Sequence, residues 1–307
     1  MKIGWLISTN GIFGSVREVI ENSNWLVKYG HEVTLYAPAA NSVTWIEYLG
    51  KTKHCHKCID DDLDFLIMVA VPDELMYTEF FKAAKAKIKI YCFMGVDDNN
   101  KDFNKSRFLK EIVTHHYLIA DSNKQLELLR KENFKVLDIS VGGINLNMFK
   151  YKPDIKRDCL IWAGDMRPRK GSETVINALE GFNKLPIKTY FAKGIKQTDM
   201  SDFLNTGLIY VDGHIRGGWC NPVLEAMACG CIVVCTDIMC NSEFAFNKET
   251  TYKVQCGNDI LMKEYIEYLI SNEEERNRIR TNALEVVKQF DYKIISKKVE
   301  IELLKLL

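Results

Sequence analysis

Short apolar runs rich in β-branched residues alternate along this chain with stretches whose apolar residues recur every three or four positions. The first run, 2–7, is the pattern of a buried strand, and the polar loop Ser8-Thr9-Asn10-Gly11-Ile12-Phe13-Gly14-Ser15 follows it. Val16, Val19, Ile20, Leu26 and Val27 then fall on one helical face, Gly30 stops that helix, and 32–37 returns as a strand. Further strands are predicted at 65–71, 88–93, 117–120 and 135–139. A second alternation begins at Cys159. Strand 159–163 leads through a glycine- and arginine-containing loop to a helix over 172–182, with short strands at 187–192 and 208–211. Pro222 to Cys229 is a helix with proline in its first turn and Gly230 after its end, and 232–235 is again a buried strand. The last fifty or so residues are helical, and Glu273-Glu274-Glu275 suit a helix start.

Strands that alternate with helices predict parallel sheets covered by helices, here two doubly wound α/β domains facing a central cleft. The expected division is 1–153, 154–290 and a final helix, 291–307, that packs back on the first domain.

Composition narrows this picture. At 307 residues, 47% apolar and 27% charged, the chain has the make-up of a globular protein with room for two cores. Lys plus Arg equals Asp plus Glu, 41 each, so no global field favours nucleic acid or a membrane. No apolar run reaches the ~20 residues that span a bilayer. The start of the chain lacks a signal-peptide pattern, so the expectation is a cytoplasmic protein, with peripheral membrane contact as the variant. Among ten cysteines, Cys92, Cys159, Cys231 and Cys235 sit in apolar runs and are expected to be reduced core residues. His54, Cys55, His56 and Cys58 are metal-ligand types at close spacing, but no second pair follows at finger spacing, and no metal is assigned.

Candidate chemistry concentrates in the second half. Gly164-Asp165-Met166-Arg167-Pro168-Arg169-Lys170-Gly171 joins a strand to a helix amino terminus, where free N–H groups and the Lys170 charge suit a phosphate. Gly217-Gly218-Trp219-Cys220-Asn221-Pro222 leads into a second such helix, with Glu225 one turn in among Val223, Leu224, Ala226 and Met227. Two helix ends directed at anions suggest a diphosphate.

The stretch Pro222-Val223-Leu224-Glu225-Ala226-Met227-Ala228-Cys229-Gly230, followed by Ile232-Val233-Val234, resembles the signature of the family 4 retaining glycosyltransferases. Lys170-Gly171 after Trp162-Ala163-Gly164 is similar to that family's phosphate-clasping loop. Gly142-Gly143-Ile144-Asn145 before Phe149 is similar to the segment leaving its first domain. The likeness is strong over 159–260 and looser over 1–150. It implies the GT-B fold and transfer of a sugar, with retention, from a nucleotide diphosphate sugar to a hydroxyl acceptor. No cofactor and no metal-binding carboxylate motif are implied.

By this resemblance Lys170 neutralises the leaving diphosphate, Glu225 holds the donor ribose, and backbone amides around Trp219, Cys220 and Asn221 meet phosphates or sugar. Gly14 lines the cleft from the first domain, and Gly164 and Gly218 let the backbone approach the donor. Three positions depart from the family pattern. Gly217 stands where a first signature glutamate is usual, Asp165 where the loop carries an arginine, and Gly14-Ser15 where a glycine pair is usual. Arg167 or Arg169 supplies a replacement cation, and His214 with Arg216 offers polar groups for the sugar side. These losses motivate the alternative of a catalytically silent sugar-nucleotide-binding or scaffolding protein. A Rossmann dinucleotide enzyme is disfavoured, because 11–14 lacks the three-glycine spacing and no acidic residue ends the second strand.

On the acceptor side, Asp97 follows a predicted strand end. The stretch 101–110, with Lys101, Lys105, Arg107 and Lys110 among Phe103, Phe108 and Leu109, has the make-up of a solvated helix or an acceptor-docking one. The acceptor classes left open are a glycan, a lipid-linked sugar, a protein and modified DNA, with neutral net charge weighing against DNA.

Overall fold

The structure, a computed structural model, describes residues 1–38, 43–69, 75–94, 116–162, 166–189 and 195–307. It divides into two compact units, Met1–Gly143 with Tyr292–Leu307, and Ile144–Asp291.

The first unit is built on seven parallel strands: β1 (Lys2–Leu6), β2 (Glu32–Ala37), β3 (Lys51–His54), β4 (Phe65–Val69), β5 (Ile88–Phe93), β6 (Tyr117–Ala120) and β7 (Val136–Ser140). Their order is β3-β2-β1-β4-β5-β6-β7. The central strands are apolar throughout because both faces are covered. Ile3 and Trp5 enter one core with Val19 and Leu26, while Leu6 enters the other with Tyr36 and Leu66. Helices α1 (Gly14–Lys28), α2 (Leu75–Ala83) and α3 (Asn123–Lys131) cover the sheet, together with the last helix of the chain, α9 (Tyr292–Leu304). α9 lies against α1 through a buried polar node. Ser296 Oγ donates to Asn22 Oδ1 at 3.0 Å, and Asn22 Nδ2 donates to the Val141 carbonyl at 2.8 Å.

The second unit has five parallel strands, β8 (Cys159–Trp162), β9 (Ile187–Thr189), β10 (Gly207–Asp212), β11 (Ile232–Thr236) and β12 (Tyr252–Val254), in the order β12-β11-β10-β8-β9. Helices α4 (Ser172–Leu179), α5 (Met200–Asn205), α6 (Asn221–Ala228), α7 (Asp259–Ser271) and α8 (Glu273–Val287) cover it. Tyr210, Val233 and Cys235 face α6, while Ile209, Val211, Ile232 and Val234 face α4 and α7. Counted from β8, the order is 2-1-3-4-5, so the winding reverses between β8 and β10. In open parallel sheets that reversal opens a crevice at the strands' carboxyl ends.

The expected boundary at 153/154 falls inside the second unit. Ile144 and Phe149 already belong to its core with Trp219 and Phe244. The two ends of the unit also pair with each other, Ile144 N–H donating to the Phe290 carbonyl at 2.8 Å.

Candidate functional site

Two turns leave β8 and β10 at the reversal point. The first closes in a single 3-10 turn over Pro168–Lys170, where Lys170 N–H reaches the Arg167 carbonyl at 2.8 Å. Gly171 then takes a left-handed conformation, φ +57°, and α4 begins. A Cβ on Gly171 would lie 1.7 Å from the Gly213 carbonyl oxygen, and one on Gly213 would lie 2.5 Å from the Gly171 oxygen. Two glycines therefore let the turns touch backbone to backbone. The Ile215 N–H, donating to the Arg169 carbonyl at 2.9 Å, ties them together.

This contact sets Lys170 beside a buried pair from the second turn. Asp212 ends β10, and His214 follows across Gly213. His214 Nδ1 lies 2.7 and 2.8 Å from the two Asp212 carboxylate oxygens, and the His214 backbone N–H donates to Oδ1 at 3.0 Å. The other ring nitrogen, Nε2, faces Lys170 Nζ. The His214 and Asp212 side chains are 8% and 2% exposed, which removes water as the default partner. With the Nδ1 hydrogen directed at Asp212, Nε2 of a neutral imidazole accepts from the Lys170 ammonium.

Electrostatics follow from the burial. Burial works against the Asp212 charge, but the adjacent His214 more than offsets it and holds the carboxyl below its ordinary range. Burial also works against a charged His214, and Asp212 again prevails, raising the imidazole above its usual value. Burial depresses the Lys170 ammonium, and the guanidinium groups of Arg169 and Arg167 depress it further, against upward pulls from Cys220 and Asp212. Arg167 and Arg169 are both exposed. The Asp212 carboxylate therefore acts on His214 and Lys170, and the two arginines act on Lys170.

α6 supplies the third wall. Its buried Glu225 is one turn in, and Asn221 is buried at its start. The Trp219 ring is packed on Phe244 and Phe290, with centroids 5.0 and 5.4 Å away, so the indole is a core anchor. The Cys220 amide donates to the Cys240 carbonyl at 3.1 Å, which removes it from the amides expected to meet a ligand. The Cys220 and Cys240 thiols are hydrogen-bonded to each other. Gly217 leaves a space whose nearest occupant is Cys240, with Sγ 3.6 Å from where a Cβ would be. Gly218 lies in the same turn, directly before Trp219.

Other expected residues lie elsewhere. Gly14 is the first residue of α1, in the first unit. Gly164, Asp165, Asp97 and the 101–110 stretch lie outside the described residues. Cys55 and Cys58 point into the core of the first unit. Sequence reasoning missed Asp212 and Cys240. An acidic residue closing a predicted strand, two positions before a histidine, was the available signal for Asp212. Cys240 carried none, because it arrives from a separate turn.

Among the described residues, Asp212, His214 and Cys220 are the one group of metal-ligand types with their atoms within 4.8 Å of one another. A divalent ion there would displace the Nδ1 hydrogen from Asp212 and sit beside the Lys170 cation. The set suits a shared proton better than a metal.

Two parallel α/β units, the second with basic side chains at its reversal point, have the GT-B architecture. Residues 182–286, within the second unit, match the family model Glycosyl transferases group 1. Solved structures share the fold along the full length at low identity. A glycosyltransferase from Rickettsia africae ESF-5 is 17% identical with a TM-score of 0.73, and the match covers 99% of this chain and 98% of that one. For sucrose-phosphate synthase from Thermosynechococcus elongatus the values are 13%, 0.79, 99% and 98%. For Anabaena HepE in complex with UDP-glucose they are 15%, 0.76, 100% and 100%. No curated protein sequence matches the chain. No helix among the described residues is long and apolar enough to cross a membrane.

Proposed function

We propose that the donor diphosphate binds at the β8/β10 reversal point, with Lys170 taking the charge that develops as the sugar leaves. The observation that carries this is the clasp of the two turns at Gly171 and Gly213, which sets Lys170 against the buried Asp212–His214 pair, with the exposed Arg167 and Arg169 acting on Lys170 from its own turn. Donors preorganised toward developing negative charge are the main demand of such a transfer. Glu225 takes the donor ribose, and the Gly218–Asn221 turn approaches the phosphates or sugar. Arg169 and Arg167 serve in place of the arginine replaced by Asp165. HepE was solved with UDP-glucose and a pneumococcal O-GlcNAc transferase with UDP and GlcNAc, which makes a uridine diphosphate sugar the donor to test first. The acceptor is a hydroxyl compound.

Thermal stabilisation by a panel of nucleotides and nucleotide sugars tests this reading. A ligand at 100 times its Kd adds about 2.7 kcal/mol of stability. The expected result is stabilisation of the wild type by UDP-glucose or another member of the panel, lost in Lys170→Ala and Glu225→Ala. A panel that stabilises nothing, in a protein that also neither transfers nor hydrolyses a donor, removes the site assignment and favours the silent scaffolding alternative that Gly217 and Asp165 suggest.

A further inference from the structure

Asp212, His214 and Lys170 form a line of carboxylate, imidazole and amine that the leaving-group role of Lys170 does not by itself require. Two cations in contact, half-buried or buried, with one carboxylate beyond the imidazole to balance both, would leave an uncompensated charge in a poorly solvated place. One proton shared between His214 and Lys170 leaves the free group neutral: Asp212 ionised, Nδ1–H directed at Asp212, and one hydrogen between Nε2 and Nζ. An arriving diphosphate supplies the missing negative charge, and a second proton then becomes favourable.

We propose that Asp212 and His214 are positioning residues for Lys170, and that binding of a nucleoside diphosphate sugar draws one proton from solvent onto the His214–Lys170 pair. The inference rests on the donor reading above. The step balances without a further reactant: the proton comes from the buffer, no covalent bond of the donor changes, and the pair goes from one shared proton to two held protons.

The surroundings support the assignment of the proton to this pair. From β10 the imidazole meets Asp212, and from the 3-10 turn Lys170, with Arg167 and Arg169 behind it. From the start of α6 it meets Cys220, whose thiol is hydrogen-bonded to that of Cys240. The Cys256 thiol and the Thr236 hydroxyl both approach the His214 carbonyl. The bond to Cys240, with burial, keeps the Cys220 thiol protonated, and burial does the same for Cys256, so neither is a proton acceptor here. Burial depresses Lys170. His214 is raised, since Asp212 outweighs its burial, and the two proton affinities approach each other. Such a pair titrates as a unit.

Calorimetric titration of the full chain with UDP-glucose, in buffers of low and high ionisation enthalpy at mildly alkaline pH, reads this directly. Both phosphates of that ligand are already ionised, so proton uptake reports the protein. The expected result is uptake approaching one proton per donor bound, with affinity weakening as pH rises by up to about tenfold per unit. In His214→Gln the uptake vanishes and affinity becomes flat with pH, and in Asp212→Asn the uptake window moves to lower pH. Binding without proton uptake in the wild type overturns the inference and leaves the donor site standing, as does uptake that persists in His214→Gln. If neither UDP-glucose nor any other nucleotide sugar binds, the donor reading falls and this inference falls with it. The wild-type measurement needs no variant to fold.

Discussion

Two largely buried carboxylate–histidine pairs occur among the described residues, one in each unit. In the first unit His31 Nε2 lies 2.8 Å from Glu300 Oε1, with side chains 11% and 7% exposed. In the second His214 Nδ1 lies 2.7 Å from Asp212 Oδ1 at similar burial. What differs is the other ring nitrogen. His31 Nδ1 faces the chain's own amino terminus at 3.3 Å, and Glu300 is also paired with Lys297, so that pair ties α9 to the approach to β2. His214 Nε2 faces Lys170, at the point where the winding of the sheet reverses. A buried ion pair is therefore no sign of function by itself. Its place in the topology, and what its free valence meets, make the difference.

That contrast is broken or sharpened by substitution. Lys170→Ala should have the largest effect, lowering kcat roughly 10²–10³-fold in a transfer assay, the scale of losing one donor to a developing anion. Unchanged kcat would move the chemistry elsewhere. Gly171→Ala should come next. It forces a left-handed alanine whose Cβ would overlap the Gly213 carbonyl, and is expected to cost more than about 2 kcal/mol in denaturant unfolding and to weaken donor binding as well. His31→Gln or Glu300→Gln should lower stability by about 1–3 kcal/mol while donor affinity stays within twofold, since that pair belongs to the first unit and the donor turns to the second. A matching loss of donor affinity would erase the distinction between the pairs.

The smallest effect is in the pH dependence of stability. Asp212 is held below its ordinary value of 3.8, so its contribution is present above that value and lost as pH falls through the lowered one. His214 is raised above 6.5, so its contribution is complete below 6.5 and lost as pH rises through the raised value. The melting-temperature gap between wild type and Asp212→Asn should be widest in the mildly acidic range between these ordinary values and narrow on either side. A gap that widens toward alkaline pH would contradict the pairing.

Much of the framework was legible because burial writes itself into periodicity. β1, α1 and β2 followed from an apolar run, a helical stripe and Gly30, and α6 from Pro222 and Gly230. β3 escaped because Lys51-Thr52-Lys53-His54 carries no apolar residue. Its place comes from register against Thr34–Ala37, a non-local contact. β12 escaped for a similar reason, being three residues at the edge of its sheet. Lys170 and Glu225 stood out through their turn and helix contexts. The Asp212–His214–Lys170 line did not, because it needs two turns 44 residues apart in the chain to be clasped through Gly171 and Gly213. Pairing between distant turns leaves no periodic trace.

The central claim, that the donor sits at the reversal point of the second sheet, is tested most directly by a crystal structure of the protein with UDP-glucose. The account predicts the diphosphate within hydrogen-bond distance of Lys170 Nζ, against the turns that follow β8 and β10, with the ribose at the Glu225 carboxylate. A nucleotide bound at the carboxyl ends of β1 and β4 in the first unit, with Lys170 still turned only to His214, would contradict it.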